Sequence, residues 1–378
     1  MVESLYVFPE THTLRDGLVT ISAAVERRGQ ERKTLWYRVP EEFAYAVTPS
    51  SDPFVLSTLF KAMREHAELV IHGEVSPALL RNLEEFQHVW AMWKPEVYQP
   101  IEIRADVERE QAPAPSNAAI TAYSTGVDGS FTAWRHHTGL SGRRTRNLRA
   151  GMLVHGFDIG LEQPEIYAQT LARARAMLSS LGMETVPLAT NLRRFAIDWF
   201  DALGAGLASC LVLLQNGWNS GLIASSYPYD HLHIPYGSLP LTEWMLSTGT
   251  FEIVHDSADV YRVDKVRALA DWAAARENLR VCFLGNRRDN CCRCRKCLRT
   301  ILEFRAVGAG LPECFAHDAN IWQILTVASA ADEIVFIQET CTRLRASGTK
   351  GAWVRAMYLS LLICRARYAA RAWLTGKH

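Results

Sequence analysis

The sequence predicts an α/β protein built on an open parallel sheet, with an N-terminal α+β domain and a helical C-terminal extension. Three observations carry that expectation. Short β-rich runs alternate with helical segments through the middle of the chain. A Ser/Gly loop, Ser124-Thr125-Gly126-Val127-Asp128-Gly129-Ser130, joins one such run to a helix. From about Pro312 onward the spacing is mainly helical. The expected divisions are residues 1–112, 117–310 and 311–378, with the stiff segment Gln111-Ala112-Pro113-Ala114-Pro115 as a linker.

In the first part, residues 17–22 and 34–39 read as paired strands joined by the polar turn at Arg28-Gly29-Gln30. Asp52-Pro53 opens a helix toward Glu65, because proline suits a first helical turn where its missing N–H costs nothing. Residues 69–73 form another strand, and Ser76-Pro77 starts a second helix. His72, near that strand's end, reads as a satisfied polar residue and not as a catalyst.

In the middle part, Ala118-Ala119-Ile120-Thr121-Ala122-Tyr123 is a buried strand, and Phe131-Thr132-Ala133-Trp134 a first helical turn. The loop between them aims several backbone N–H groups at one spot, and the helix dipole adds partial positive charge there. Such a spot suits a phosphate, and glycine permits its close approach. Asp128 would repel that phosphate, so its expected task is to hold a Mg²⁺ that binds it. Arg143, Arg144, Arg146 and Arg149 form a basic cluster, either a solvated loop or a source of one phosphate-binding guanidinium. A second strand at 151–155 leads to Gly156-Phe157-Asp158, and a helix follows at 163–182. A third strand at 184–188 ends near Asn191 and Arg193, and a small-residue helix at 204–212 precedes a fourth strand at 221–226. After it, Asp230 is the candidate for a second Mg²⁺ ligand or substrate-orienting base, while His231 and His233 are either a metal pair or, as is more common, solvated neighbours.

Cys282, Cys291, Cys294 and Cys297 follow Cys-x8-Cys-x2-Cys-x2-Cys spacing and lead into a helix at 298–307. Four thiolates so close in sequence suit one tetrahedral Zn²⁺, and a closed set of four sulfurs makes that ion structural. Cys292 is a spare. The surrounding Arg287, Arg288, Arg293, Arg295, Lys296 and Arg299 would favour thiolate. An iron–sulfur cluster is the rival, with Cys282 as its upstream fourth ligand. Disulfides are not expected, since the nine cysteines are an odd number and nothing suggests secretion.

The loop resembles the Ser-Gly-Gly-x-Asp-Ser pyrophosphatase loop of the PP-loop ATP pyrophosphatases, the adenine nucleotide α-hydrolases. Ser124, Gly126 and Asp128 keep that pattern, Thr125 and Gly129 depart from it, and Ser130 offers the hydroxyl that Gly129 lacks. Loop and cysteine cluster together are similar to the 7-cyano-7-deazaguanine synthases, over roughly residues 118–305. Arg262-Val263-Asp264-Lys265-Val266-Arg267-Ala268-Leu269-Ala270 looks like that family's Lys-containing helix. The resemblance implies a PP-loop/HUP-type sheet that binds ATP and Mg²⁺. It places residues 124–130 on the phosphates, and Val154, His155 and Phe157 beside the adenine or ribose. Asp158 would bond a ribose hydroxyl or else cap the following helix.

The reaction so implied is adenylation of a carboxylate or carbonyl oxygen with release of pyrophosphate. Attack by ammonia or another amine then gives an amide or nitrile. Asp128, Lys265 and Asp230 are the expected catalytic residues. The acceptor is a small-molecule or protein-borne carboxylate. Two rivals are a sulfur-transferring PP-loop enzyme and a non-catalytic nucleotide-binding module that engages a protein partner.

A net charge of +1 gives no global field for nucleic acid. No run of about 18 apolar residues suggests a membrane span. Met1-Val2-Glu3-Ser4 lacks a basic-apolar leader pattern, and free cysteines with a thiolate metal site point to a reducing cytoplasm. A homodimer is compatible with the sequence. The C-terminal helix with Arg355, Arg365, Arg367 and Arg371 is one that can lie on a membrane or bind a partner, and it is expected instead to pack on its own protein and expose its charges.

Overall fold

A computed structural model of the chain describes residues 3–195, 198–282, 284, 287–328 and 331–375, with only the backbone described at 331–333 and 371–375. The expected side-chain position of Arg371 therefore lies outside the described residues.

The N-terminal part contributes β1 (Ser4–Pro9), β2 (Thr13–Arg15), β3 (Leu18–Arg27) and β4 (Lys33–Pro40), then α1 (Asp52–Glu65), β5 (Glu68–Val75), α2 (Pro77–Trp93) and β6 (Ile103–Glu108). β3 and β4 pair antiparallel, as their alternating pattern requires. Both helices carry proline in the first turn. The buried Asp52 carboxylate accepts bonds from the Ser76 amide (2.8 Å) and hydroxyl (2.7 Å), which ties the two helix starts together.

The middle part runs β7 (Ala118–Ala122), α3 (Val127–His137), β8 (Asn147–His155), α4 (Pro164–Ser179), β9 (Glu184–Thr190), α5 (Trp199–Val212), β10 (Ser220–Ala224) and β11 (Glu252–Asp256). Then follow α6 (Arg262–Leu269), α7 (Ala273–Asn278), α8 (Arg295–Ala306), α9 (Ile321–Leu325), α10 (Ala331–Ala346) and α11 (Ala352–Thr375). β8 starts earlier than its apolar run suggested and takes in Arg149. β11, with its polar ends, was not anticipated.

All strands join one eleven-stranded sheet in the order β11-β10-β7-β8-β9-β4-β3-β1-β5-β6, with β2 on β3. β7 to β11 are mutually parallel. Read from β9 to β11, their order is third, second, first, fourth, fifth, that of a doubly wound α/β sheet. The chain switches direction across the sheet between β7 and β10, where such sheets place ligands beyond the strand ends.

The sheet continues across the expected linker. β4 pairs antiparallel with β9 through Tyr37↔Thr190 and Arg38↔Ala189. Asn191 cements that join, accepting from Trp36 N (2.9 Å) and donating to Thr34 O (2.8 Å). Lys94 Nζ and Tyr98 Oη both bond the buried Asp201 carboxylate of α5, at 2.6 and 2.8 Å.

Side chains alternate between the faces along β7: Ala118 and Ile120 belong to one core cluster, Ala119 to the other. The first cluster holds α1, α2 and α5. The second holds α3, α4, α6, α8 and the C-terminal helices. The loop after β7 enters this second layer.

Candidate functional site

Tyr123 leaves β7 and Ser124 is exposed at the strand's carboxyl end. Thr125 is fully buried with φ of +60°, a conformation that a β-branched residue rarely adopts. Glycine would adopt it freely, and glycine is the residue the resembled loop carries there. Thr125 therefore holds a backbone conformation that glycine would adopt without strain. Gly126 is the N-cap of α3, and Val127, Asp128 and Gly129 form its first turn, whose N–H groups have no intrahelical acceptor. A Cβ on Gly129 would meet nothing closer than Ala122 O at 3.5 Å, so space alone does not demand glycine there. Ser130 is buried and bonds Tyr123 Oη at 3.3 Å, which turns its hydroxyl away from the solvent side of the loop.

Asp128 sits between two cations from α6. One carboxylate oxygen lies 2.8 Å from Arg262 Nη1 and the other 3.1 Å from Lys265 Nζ. Lys265 is almost fully buried and also donates to Ser225 O (2.7 Å) at the end of β10. The ammonium therefore bridges the ends of β7 and β10, at the switch point. Burial alone would raise the Asp128 carboxyl, but the charges of Lys265 and Arg262 outweigh it and hold the group below its ordinary value. With both oxygens engaged, Asp128 is not a free carboxylate awaiting Mg²⁺. One carboxylate flanked by two cations is not a cation cage.

Arg262 was not singled out from the sequence, although it lies three residues before Lys265 on the same helix face. It is wired deeply into the protein. Its Nη2 reaches Thr300 Oγ1 at 3.3 Å and its Nε the Glu303 carboxylate at 3.3 Å. Its amide donates to Glu339 of α10 at 3.2 Å. Arg299 lies 3.9 Å from Glu303 and stacks 4.0 Å over Phe336. Burial, and then the nearby Glu303, push the Glu339 carboxyl up to about 7. The C-terminal helices thus buttress the loop's cations.

The four cysteines converge. Their sulfurs all lie within 4.8 Å of one another, so the group is able to hold one metal ion. Cys291 and Cys297 sulfurs are 3.9 Å apart, as are those of Cys282 and Cys294. The Cys294 amide donates to Cys291 Sγ at 3.2 Å, the knuckle hydrogen bond that x2 spacing favours. Cys292, with φ of +53°, is buried with its thiol on Asn290 O, outside the group. Among the described residues this is the one cluster of His, Cys, Asp and Glu with metal-ligand geometry. The cysteine segment touches the loop directly: Arg280, two residues before Cys282, donates its amide to Thr125 O at 3.0 Å.

Against protein-family models, curated proteins and solved structures, this chain returns no match. The site must be judged on its geometry.

The remaining candidates fall elsewhere. His155, at the end of β8, is buried, stacks on Tyr167 at 4.3 Å and bonds Gly160 O through Nε2 at 2.9 Å. Burial lowers its pKa. Val154 is half-buried, and Phe157 is buried against Trp199. Gly156 has φ of +109°, and a Cβ there would lie 2.0 Å from Thr190 O, so the turn after β8 requires glycine. Asp158 is exposed and does not cap α4, whose N-cap is Gln163. Asp230 is bound by Tyr261 Oη (2.6 Å) and His231 Nδ1 (3.0 Å), one residue removed from Arg262 through Tyr261. His233 packs near Tyr227, and among the described residues neither it nor His231 belongs to a group of three or more side chains at metal-ligand distances. Arg193 donates to Phe157 O at 2.7 Å. Arg144 and Arg146 are ion-paired to Asp259 (2.6 Å) and Glu252 (2.8 Å), which favours the surface reading of the basic cluster.

Sequence reasoning also missed a buried group behind α3. Asp256, at the end of β11, accepts from Thr132 (2.7 Å) and faces His136 Nε2 (3.3 Å). His136 Nδ1 accepts the Arg146 amide at 3.0 Å, so Nε2 carries the proton. This group fixes α3, and with it the loop, against the sheet edge.

Proposed function

We propose that this protein is an ATP-dependent ligase that forms AMP and pyrophosphate. The observation that carries the reading is the pairing of Asp128 with Lys265 and Arg262 at the start of α3, beside the sheet's switch point. Lys265 and Arg262, set on Asp128 with Glu303 behind the guanidinium, stand next to helix N–H groups that have no intrahelical acceptor and favour a polyanion. A triphosphate whose β- and γ-phosphates rest there leaves its α-phosphorus open. An acceptor carboxylate oxygen attacks that phosphorus, the bond to the β-phosphate oxygen breaks, and pyrophosphate leaves. Lys265 and Arg262 offset the charge that grows on the leaving group. Ammonia or an amine then attacks the acyl carbon, AMP departs, and an amide forms.

Asp128 acts here by holding its two cations in place. Mg²⁺ would enter on the nucleotide's own oxygens, as it commonly does with phosphates, and no step above depends on it. The Ser124–Gly129 backbone is the expected phosphate cradle, with Val154, Phe157 and Asp158 toward the nucleoside.

For the cysteine group the reading is structural zinc. Zn–S bonds of about 2.3 Å in a tetrahedron put sulfurs about 3.8 Å apart, close to the 3.9 Å observed. A four-iron cluster places each thiolate on a different iron and spreads the sulfurs more widely. Zinc there would fix Arg280 and thereby the Thr125 carbonyl.

Incubation with ATP, ammonia and a panel of carboxylic acids tests the reaction. AMP and pyrophosphate in equal amounts are expected, and Asp128→Asn should reduce their formation at least 100-fold (about 2.7 kcal/mol) with unchanged metal content. ADP as the product would refute the assignment.

A further inference from the structure

We propose that the turn between α10 and α11, with the outward face of α11, docks this protein on an anionic phospholipid surface. The inference is independent of the ATP chemistry above.

A cleft of about 640 Å³ lies under this turn. Buried Leu344 and Val354, with half-buried Tyr358, supply its apolar wall, and exposed Arg345, Lys350 and Arg355 its cations. Arg345 rests 5.6 Å from the Tyr358 ring. Among the described residues no carboxylate pairs with any of these three cations. The cleft therefore offers an apolar wall beside uncompensated positive charge, which matches an anionic headgroup and the start of its acyl chain.

The helix that leaves this cleft is apolar on two sides. Val354, Met357, Leu361 and Cys364 are buried in the core. On the other side Leu359 and Leu362 follow Arg355 at four- and seven-residue spacing, hence on one face. They are 49% and 61% exposed, and neighbouring Ile363 is 38% exposed. A surface helix packed on one side is normally polar on the other, so this stripe asks for a cover.

Charge selects the occupant. Residues 352–375 contain no Asp or Glu and four arginines, Arg355, Arg365, Arg367 and Arg371. A second copy laid along α11 would set arginine against arginine. An anionic bilayer instead supplies phosphates to Arg345, Lys350 and Arg355 of the cleft and hydrocarbon to the leucines. Trp322 of α9, which packs on α11, is 78% exposed, and an indole is suited to a lipid–water boundary.

Sedimentation of the full chain with vesicles is the test. Binding is expected to vesicles of phosphatidylcholine with phosphatidylserine, not to phosphatidylcholine alone, and to weaken with salt. Lys350→Gln with Arg355→Gln should weaken it roughly thirtyfold, since each basic residue near such a surface contributes about 1 kcal/mol. Leu359→Ser with Leu362→Ser should weaken it comparably, with the melting temperature unchanged. Equal sedimentation with both vesicle types would overturn the proposal. So would competition by inorganic phosphate with no effect of the leucine changes, which describes a free-anion site. A dimer in solution that the leucine changes dissociate would assign the stripe to a second copy instead.

Discussion

At the scale of single residues, the loop shows why chemistry can be legible where conformation is not. Asp128 stood out in the sequence as a carboxylate in a glycine-containing turn, and Lys265 through the resemblance of its helix to that of a known family. Their contact across 137 positions depends on how α6 folds back, which no local pattern states. Arg262 escaped for the same reason. Thr125 is the converse case: its type looked like a departure, but its φ of +60° shows that the turn still has glycine's geometry. Thr125→Gly should therefore keep the loop intact and raise stability by about 1 kcal/mol, read as a higher melting temperature; a loss of stability would mean that Thr125 makes good its strain through contacts. Glu339 carries a pH prediction. Its folded-state pKa of about 7 exceeds its ordinary 4.5, so the folded chain holds more protons between those values. Stability should fall as pH rises through that window, by on the order of 2–3 kcal/mol. Glu339→Gln keeps an oxygen for the Arg262 amide and should flatten that slope in denaturant titrations at pH 5 and pH 7; an undiminished slope would assign the titration to another group.

At the scale of elements, helices with proline at their starts and strands with clear alternation were readable, because each signal lies within the element itself. α1 and β7 appear where their residues predict. β11 was not readable, since Glu252, His255 and Asp256 mask a strand that is buried only by its neighbours. Asp158 was read as a possible cap, but α4 begins after Gln163 and leaves it exposed. The cysteine knuckle was legible because metal-ligand spacing is a covalent fact of the chain. It also predicts a coupling. Arg280 ties the knuckle to the Thr125 carbonyl, so removing the metal with a chelator should lower the melting temperature and loosen the loop together. Hydrogen exchange at residues 124–130 is the readout. Protection there that survives complete loss of metal would show that the two elements are independent.

At the scale of the whole molecule, the sequence suggested separate parts, because its composition changes around the Gln111–Pro115 stretch. The sheet runs through that stretch by way of β4 and β9, with only two paired positions at the join. A junction so short leaves no periodic signal, although it makes one continuous sheet. The pair of half-buried Lys94 with buried Asp201 and the shared core cluster reinforce it. This arrangement brings the carboxyl ends of β7, β8 and β10 to one edge. There the loop, α6 and the C-terminal helices meet. The proposed ligase chemistry requires this edge to grip a nucleotide's phosphate tail through the first turn of α3. A crystal structure of the full chain with a non-hydrolysable ATP analogue tests it most directly. The account predicts β- and γ-phosphate oxygens on the amides of residues 126–129, within reach of Lys265 and Arg262; a nucleotide bound away from that turn, or a turn left empty at saturating analogue, would contradict it.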